Sequence, residues 1–222
     1  MKINQRLQLI GDLVPLSSYP LDIGCDHALL SIYLVKERGF QHVAASDNKK
    51  GPLDQARKNA HIYQVDTAID FILAAGLEAY QPGIDVVTIS GMGGLTINRI
   101  LLDHPEVLNF IDTFILSPNN YSLAVKKNLV KFGYFIQDEY LVQEKNMTYP
   151  IYVFKKGKKH YSSKTLFLGP VLATKLNDPV VRTYYQKQLQ ETRQILSHIP
   201  RSYYQRRHQL KKGIKWLEQL LD

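Results

Sequence analysis

A chain of 222 residues with 45% hydrophobic composition can bury a sizeable core and is long enough for one full domain and an appendage. No apolar run approaches the roughly 20 residues that span a bilayer, and the opening MKINQRLQLIGDLV is amphipathic rather than a signal core, so no membrane role and a cytoplasmic location are expected. Cys25 is the only cysteine, which excludes an internal disulfide framework, and His42, His61, His104, His160, His198 and His208 show no ligand spacing, so no metal is expected. The net charge of +8 is unevenly spread: residues 1–157 carry 15 Lys and Arg against 16 Asp and Glu, whereas residues 158–222 carry 13 against 4. A segment this basic, without a wide apolar face, points to a polyanion, nucleic acid ahead of membrane; a solvated pair of basic helices would show the same count.

In chain order, Ile3, Leu7, Ile10, Leu13 and Val14 recur at helical spacing, with Gly11 and Pro15 read as terminators of a first helix. Strands at 21–23, 42–46 and 69–73 then alternate with helices at 28–37 and 52–63. A strand at 85–89, a helix at 95–102, a strand at 114–116 and a helix at 122–132 continue the series. This order implies a mostly parallel sheet with helices on both faces. Residues 134–142 and 149–155 are strand-like, and the six residues between them are too few for a crossover helix, so an antiparallel hairpin is expected. The predicted fold is α/β, of the class I (Rossmann-like) methyltransferase type, with a mostly parallel seven-stranded sheet and an antiparallel terminal hairpin.

The expected domains are 1–157 and 158–222. In the second, a linking helix is expected over 166–176, interrupted at Gly169-Pro170, and Asn177-Asp178-Pro179 starts a long helix. Val181, Tyr185, Leu189, Thr192, Leu196 and Ile199 keep a period near 3.5 residues up to Pro200, and Ile214, Leu217 and Leu221 form a second stripe. These predict an α-helical coiled-coil hairpin. Arg182, Arg193, Arg201, Arg206, Arg207, Lys211 and Lys212 are the candidate RNA contacts, interleaved with Tyr184, Tyr185, Tyr203 and Tyr204. Cations meet phosphates and tyrosines stack on exposed bases.

The loop after the first strand reads Asp22-Ile23-Gly24-Cys25-Asp26-His27. A dinucleotide site spaces glycines so that a pyrophosphate can reach backbone amides; here Asp26 and His27 occupy that room. A carboxylate repels a pyrophosphate but accepts a ligand with a cationic centre, and S-adenosyl-L-methionine, a sulfonium with an ammonium group, is such a cofactor. A plain strand-end turn also uses Asp and Gly. Cys25 reads as a buried structural thiol. Asp47, 23 residues after Gly24, stands where ribose hydroxyls bind, although Asp before Asn48 also suits a turn.

Ala75 and Gly76 follow the third strand, where a cofactor adenine would find only backbone and apolar contacts. Gly91-Met92-Gly93-Gly94 follows the fourth and removes side chains where a base and a methyl donor must approach, with Met92 packing against either; a tight strand-to-helix turn has the same composition. After the fifth strand comes Ser117-Pro118-Asn119-Asn120. An Asn side chain donates and accepts, which matches the amino and ring-nitrogen pattern of adenine, and Asn-rich turns are common as well. Tyr121 and Tyr149 are candidates to stack on a flipped base.

Taken together, RLQLIGDLVP (6–15), LDIGCDHALL, AASDNKKGPLDQARKN, ISGMGG, ILSPNN and the basic tail resemble one family over nearly the whole chain, the bacterial TrmK family of tRNA (adenine(22)-N(1))-methyltransferases. The resemblance implies methyl transfer from S-adenosyl-L-methionine to N1 of an adenine in the D-arm region of tRNA, by a methyltransferase domain followed by a tRNA-binding helical hairpin. It places Asp22, Gly24, Asp26 and His27 in the first cofactor loop, Asp47 at the ribose, and Gly91, Met92, Gly93 and Gly94 at the methyl-donor edge. Relatives carry Glu at the position of Asp47 and often Asp at that of Ala75. Asp26 and Asn119 are the expected catalytic residues, Asp26 to stabilise the cationic methylated ring or take an N6 proton and Asn119 to orient the base. tRNA is the expected partner, and no obligate protein partner is evident. A small-molecule methyltransferase on the same fold would leave the basic tail without a task; an RNA-binding protein with a degenerate pocket would not bind the cofactor.

Overall fold

Pro20–Ile23 (β1) is only four residues long and buried along its whole length, a pattern that requires cover on both faces. The computed structural model, which describes residue 1, residues 3–145 and residues 147–222, places β1 centrally in a sheet. β1 pairs in parallel with Val43–Asp47 (β2) on one side and Val86–Ser90 (β4) on the other. Ile69–Leu73 (β3) extends the sheet beyond β2, and Thr113–Ser117 (β5) extends it beyond β4, both in parallel. Tyr134–Glu144 (β6) and Met147–Lys156 (β7) form the antiparallel hairpin that closes the seven-stranded order β3-β2-β1-β4-β5-β7-β6. Asn146, within the expected connection, lies outside the described residues. The chain moves from β1 towards β3 and then returns to β4, so strand order reverses between β1 and β4 and opens a crevice at their carboxyl ends.

The helices explain why that edge is rigid. Gln5–Leu13 (α1) starts at Asn4, whose Oδ1 accepts from Leu7 N at 2.8 Å. Gly11 sits inside this helix rather than ending it: a Cβ there would stand 2.6 Å from Cδ1 of Tyr33. Leu29–Lys36 (α2) is apolar around its circumference because it has neighbours on two sides. Leu30 and Leu34 pack with Ile10 of α1 and Val14 just after it, whereas Ile32 packs with Leu53, Ala56 and Ala60 of Lys50–Ile62 (α3). Leu34 is 0% exposed, so cutting it to Ala costs about 2–5 kcal/mol. Gly94–Asp103 (α4) and Ser122–Lys131 (α5) follow β4 and β5. The buried Lys126 of α5 faces Glu139 of β6 at 3.7 Å and fastens the hairpin to the layer of helices.

Residues 1–158 form one unit and residues 159–222 another. In the second, the expected helix at 166–176 is two pieces. Ser163–Leu168 (α6) is capped by Ser162, whose Oγ accepts from Thr165 N at 3.0 Å. It stops where Gly169 turns to φ 95° and Pro170 offers no N–H, and a 3-10 turn at Leu172–Thr174 follows. Pro179–His198 (α7) begins behind the Asp178 cap, and Tyr204–Leu221 (α8) returns alongside it. Arg182 Nη2 donates to Leu221 O at 3.0 Å near one end and Arg207 Nη1 to Leu196 O at 3.0 Å near the other, so α7 and α8 are antiparallel. Val181 and Tyr185 are buried and Leu189, Thr192, Leu196 and Ile199 half-buried, the stripe that the sequence implies. Facing positions include Leu210, Gly213 and Leu217; a Cβ at Gly213 would lie 3.0 Å from the Phe167 ring of α6. Among the described residues, no helix is long and apolar enough to cross a membrane.

Candidate active site

The carboxyl ends of β1 to β4 border a cavity of about 640 Å³ whose walls include Gly24, Asp47, Ala75, Gly76, Glu78 and Met92. Two glycine conformations shape the first and fourth loops beside it. Gly24 has φ 74°, and a Cβ on it would meet Met92 Cε at 2.2 Å, so the first and fourth loops are in contact through a side chain lying over bare backbone. Gly91 has φ 76°, which turns the chain out of β4. The next two glycines serve a different purpose from the expected one. Gly94 N donates to Asn120 O at 3.1 Å, and a Cβ on Gly94 would stand 2.5 Å from that oxygen; a Cβ on Gly93 would stand 3.2 Å from Asn120 Oδ1. Their missing side chains make room for the loop after β5.

Asp47 lines the cavity with its carboxylate in place: Oδ1 accepts from Lys49 N at 2.9 Å and Oδ2 from Asp26 N at 3.4 Å. Each oxygen has a further lone pair for a hydroxyl donor. Asp22, expected among the cofactor contacts, points inward instead. It is 4% exposed and accepts from Ser31 Oγ and Thr88 Oγ1, each at 3.1 Å, which ties β1 to α2 and β4. Burial pushes its pKa up to about 6, against the two hydroxyl bonds that pull it down. Cys25 is buried, and loss of solvent together with the nearby Asp22 raises its thiol pKa, so it is no nucleophile.

Asp26 and His27 do not line the cavity. Their side chains are 66% and 55% exposed on the rim, with His27 Nε2 3.5 Å from Asp26 Oδ2. Asp26 (φ 48°) and Ala28 (φ 55°) both take the left-handed region, which makes the turn into α2 tight. Asn119 stands beyond the cavity at the end of β5: its N donates to Met92 O at 2.9 Å and its Nδ2 to Gly91 O at 2.7 Å. Tyr121 is 59% exposed beside it in sequence, and Tyr149 is half-buried under the Arg6 guanidinium.

The sequence reading missed Glu78. It sits in a 3-10 turn, Gly76–Ala79, and its Oε2 accepts from Ala75 N at 3.1 Å, so a carboxylate reaches the wall three residues after the position where Ala75 offers none. The signal available was an acid just after the third strand, displaced from the usual offset. In the second unit, the candidate RNA contacts divide. Arg193 pairs with Glu218 at 2.6 Å, Arg182 holds Leu221 O, and Arg207 donates to Leu196 O and Ile199 O, closing the carbonyl end of α7. Arg201, Arg206, Lys211 and Lys212 are exposed, as are Tyr203 (62%) and Tyr204 (77%).

The family model described as TrmK, tRNA (adenine(22)-N(1))-methyltransferase, matches residues 20–219. The tRNA (adenine(22)-N(1))-methyltransferase of Bacillus subtilis (strain 168) is 29% identical over 206 residues, covering 90% of this chain and 86% of its own. A solved structure of a putative tRNA (m1A22) methyltransferase from Streptococcus pneumoniae superposes with a TM-score of 0.90 at 32% identity, covering all of both chains. Its complex with S-adenosyl-L-methionine gives 0.88 at 31% identity, again over the full length of both. A match that runs from β1 through the cavity loops to the last turn of α8 takes in both units, and the chain belongs to the TrmK family of tRNA (adenine(22)-N(1))-methyltransferases.

Proposed function

We propose that this protein methylates N1 of adenine 22 in tRNA, using S-adenosyl-L-methionine held in the β1–β4 crevice, and that the 159–222 unit supplies tRNA contacts. The observation that carries the reading is the meeting of three loops at one sheet edge: Met92 over Gly24, and Asn119 bonded to Gly91 and Met92. The cavity's size suits the cofactor, about 640 Å³ against roughly 300–1,000 Å³ for small-molecule sites. Its donor set fits as well. Asp47 keeps lone pairs for the two ribose hydroxyls, Glu78 offers the acid that an adenine amino group needs, and Met92 and Ile100 give apolar walls.

S-adenosyl-L-methionine supplies an electrophilic methyl group: the carbon–sulfur bond breaks, its electron pair stays on sulfur, and a nitrogen–carbon bond forms from the lone pair of adenine N1. That lone pair needs no base to expose it, so the chain's task is alignment and charge. Asn119 lies on the substrate side of the crevice and orients the base. Asp26, exposed on the rim, is assigned to the base rather than to the cofactor, where its carboxylate offsets the positive charge that the ring acquires. Arg201, Arg206, Lys211 and Lys212 with Tyr203 and Tyr204 bind tRNA phosphates and loop bases. A cytoplasmic location follows from that substrate. Incubation with unmodified tRNA and methyl-labelled cofactor, followed by nucleoside mass spectrometry, is expected to yield 1-methyladenosine. A label recovered only in another nucleoside, or none in tRNA, refutes the proposal.

A further inference from the structure

Arg6 comes from α1, far in sequence from the loops that build the site, yet its guanidinium ends beside them. Nη1 lies 3.4 Å from Asn119 Oδ1, Cζ lies 4.2 Å from the centroid of the Tyr149 ring, and the Arg6 backbone N donates to Glu144 Oε1 at 2.9 Å. Nε is buried and has no acceptor among the described residues. The Tyr149 ring therefore fixes where the guanidinium sits, the Glu144 carboxylate holds the start of α1 that carries it, and Nη1 points to Asn119.

This contact settles which way the Asn119 amide faces. A guanidinium can only donate and the Gly91 carbonyl can only accept, so the amide oxygen must face Arg6 and the amide NH2 must face Gly91, as the 2.7 Å contact to Gly91 O has it. Turning the amide over would set NH2 against guanidinium and oxygen against oxygen, losing both bonds. An unrestrained Asn reads a donor or an acceptor equally well by rotating half a turn. An Asn held in this way keeps its acceptor on the Arg6 side and its NH2, with one N–H still unused, on the Gly91 side.

We infer that Arg6 is a positioning residue that locks Asn119 as a hydrogen-bond acceptor, and that the lock selects a target base carrying an exocyclic amino group over one carrying a 6-oxo group or hydrogen. The inference rests on the proposal that Asn119 meets the target adenine. Oδ1 retains one lone pair after accepting from Arg6, and the N6 amino hydrogen of adenine fills it. A guanine or hypoxanthine O6 would meet that oxygen with lone pairs on both sides, and the lock denies the amide its usual escape.

The test compares full-length wild-type protein with Arg6→Met, Arg6→Lys, Asn119→Ala and the Arg6→Met/Asn119→Ala double variant. Substrates are tRNA with adenosine at the target position and the same tRNA with purine riboside there, which keeps the N1 lone pair but lacks the amino group. Arg6→Met is expected to lower kcat/KM for the adenosine substrate about tenfold and to leave the purine substrate nearly unchanged, so that the preference shrinks by the same factor. Arg6→Lys restores part of the preference, and Arg6→Met has no further effect in the Asn119→Ala background. Calorimetric affinity for S-adenosyl-L-methionine stays at the wild-type value throughout, which separates the lock from a general collapse of the site. Equal loss on both substrates, or the same loss with Asn119 absent, overturns the inference, since a phosphate contact or a purely structural arginine would behave in that way. Wild-type protein that forms no 1-methyladenosine on the adenosine tRNA overturns the functional reading and this inference together.

Discussion

Asp22→Asn isolates the energetic cost of the buried carboxyl beneath the first cofactor loop. Asp22 is 4% exposed, has no cation against it in its two hydrogen bonds, and titrates near 6 instead of 3.8 because burial disfavours its charge. A folded-state value above the unfolded one means that the folded protein holds the proton more tightly. The stabilising contribution of the neutral acid is therefore complete below pH 3.8 and is lost as pH rises through about 6. A difference of about 2 pKa units corresponds to about 3 kcal/mol. Asn keeps the shape, and the Ser31 and Thr88 hydroxyls can each donate or accept, so the pH-independent part of the substitution is small. The assay is urea unfolding of both proteins at pH 4 to 8, reading only their difference in stability at each pH, which cancels every other titrating group. The wild type should lose about 2 kcal/mol relative to Asp22→Asn between pH 4 and pH 7, the rest of the difference falling below pH 4. A difference that stays flat across that range would refute the buried-carboxyl account.

The cavity wall makes a second prediction: Glu78→Ala should weaken S-adenosyl-L-methionine binding about tenfold by calorimetry, since it removes both a charged acceptor and the brace on Ala75 N. Unchanged affinity would show that adenine is held by backbone and apolar contact alone. Gly94→Ala should cost about 1–3 kcal/mol in thermal or chemical unfolding and depress turnover, because the added carbon would meet Asn120 O at 2.5 Å and push the loop after β5 outward. Arg201→Ala with Arg206→Ala should raise KM for tRNA and lower the slope of log affinity against log salt by about 2, with cofactor affinity unchanged. Arg207→Ala should instead lower the melting temperature, since its donors hold the carbonyl end of α7; a salt-slope change without a stability change would contradict that reading.

Why some of this was legible in the sequence and some was not has a physical explanation. Strands such as β4 and β5, buried on both faces, appear as short continuous apolar runs, and a six-residue connection can only give a hairpin, so the mostly parallel sheet and its antiparallel end follow from pattern and length. That Asp47 ends a strand on the cavity wall was legible because its distance from Gly24 is set by one crossover. Packing between distant segments has no such signature. Gly11 reads as a helix stop until the Tyr33 ring is seen against it, and Gly93 and Gly94 read as ligand space until Asn120 is seen filling it. Asp22 looks like its neighbour Asp26, but Asp22 belongs to β1, which is buried along its length, whereas Asp26 lies past the strand in a left-handed turn that leaves it exposed. A count of basic residues likewise cannot separate Arg193 and Arg207, engaged within the hairpin, from Arg201 and Arg206, which are exposed. Arg6 lay in a recognisable motif, but its contact with Asn119 depends on α1, β5 and β7 meeting at one edge.

The central claim is methylation of one atom of one nucleotide, and it is best tested by mapping the product. An unmodified tRNA with adenine at position 22 and the same tRNA with guanine there are each incubated with the protein and S-adenosyl-L-methionine, then copied by reverse transcriptase. Methylation at N1 blocks the pairing edge of adenine. The account predicts a cofactor-dependent stop at position 22 in the first tRNA, 1-methyladenosine in its nucleoside digest, and neither in the second. A stop elsewhere, methylation of both tRNAs alike, or unmodified adenine 22 under saturating cofactor would contradict it.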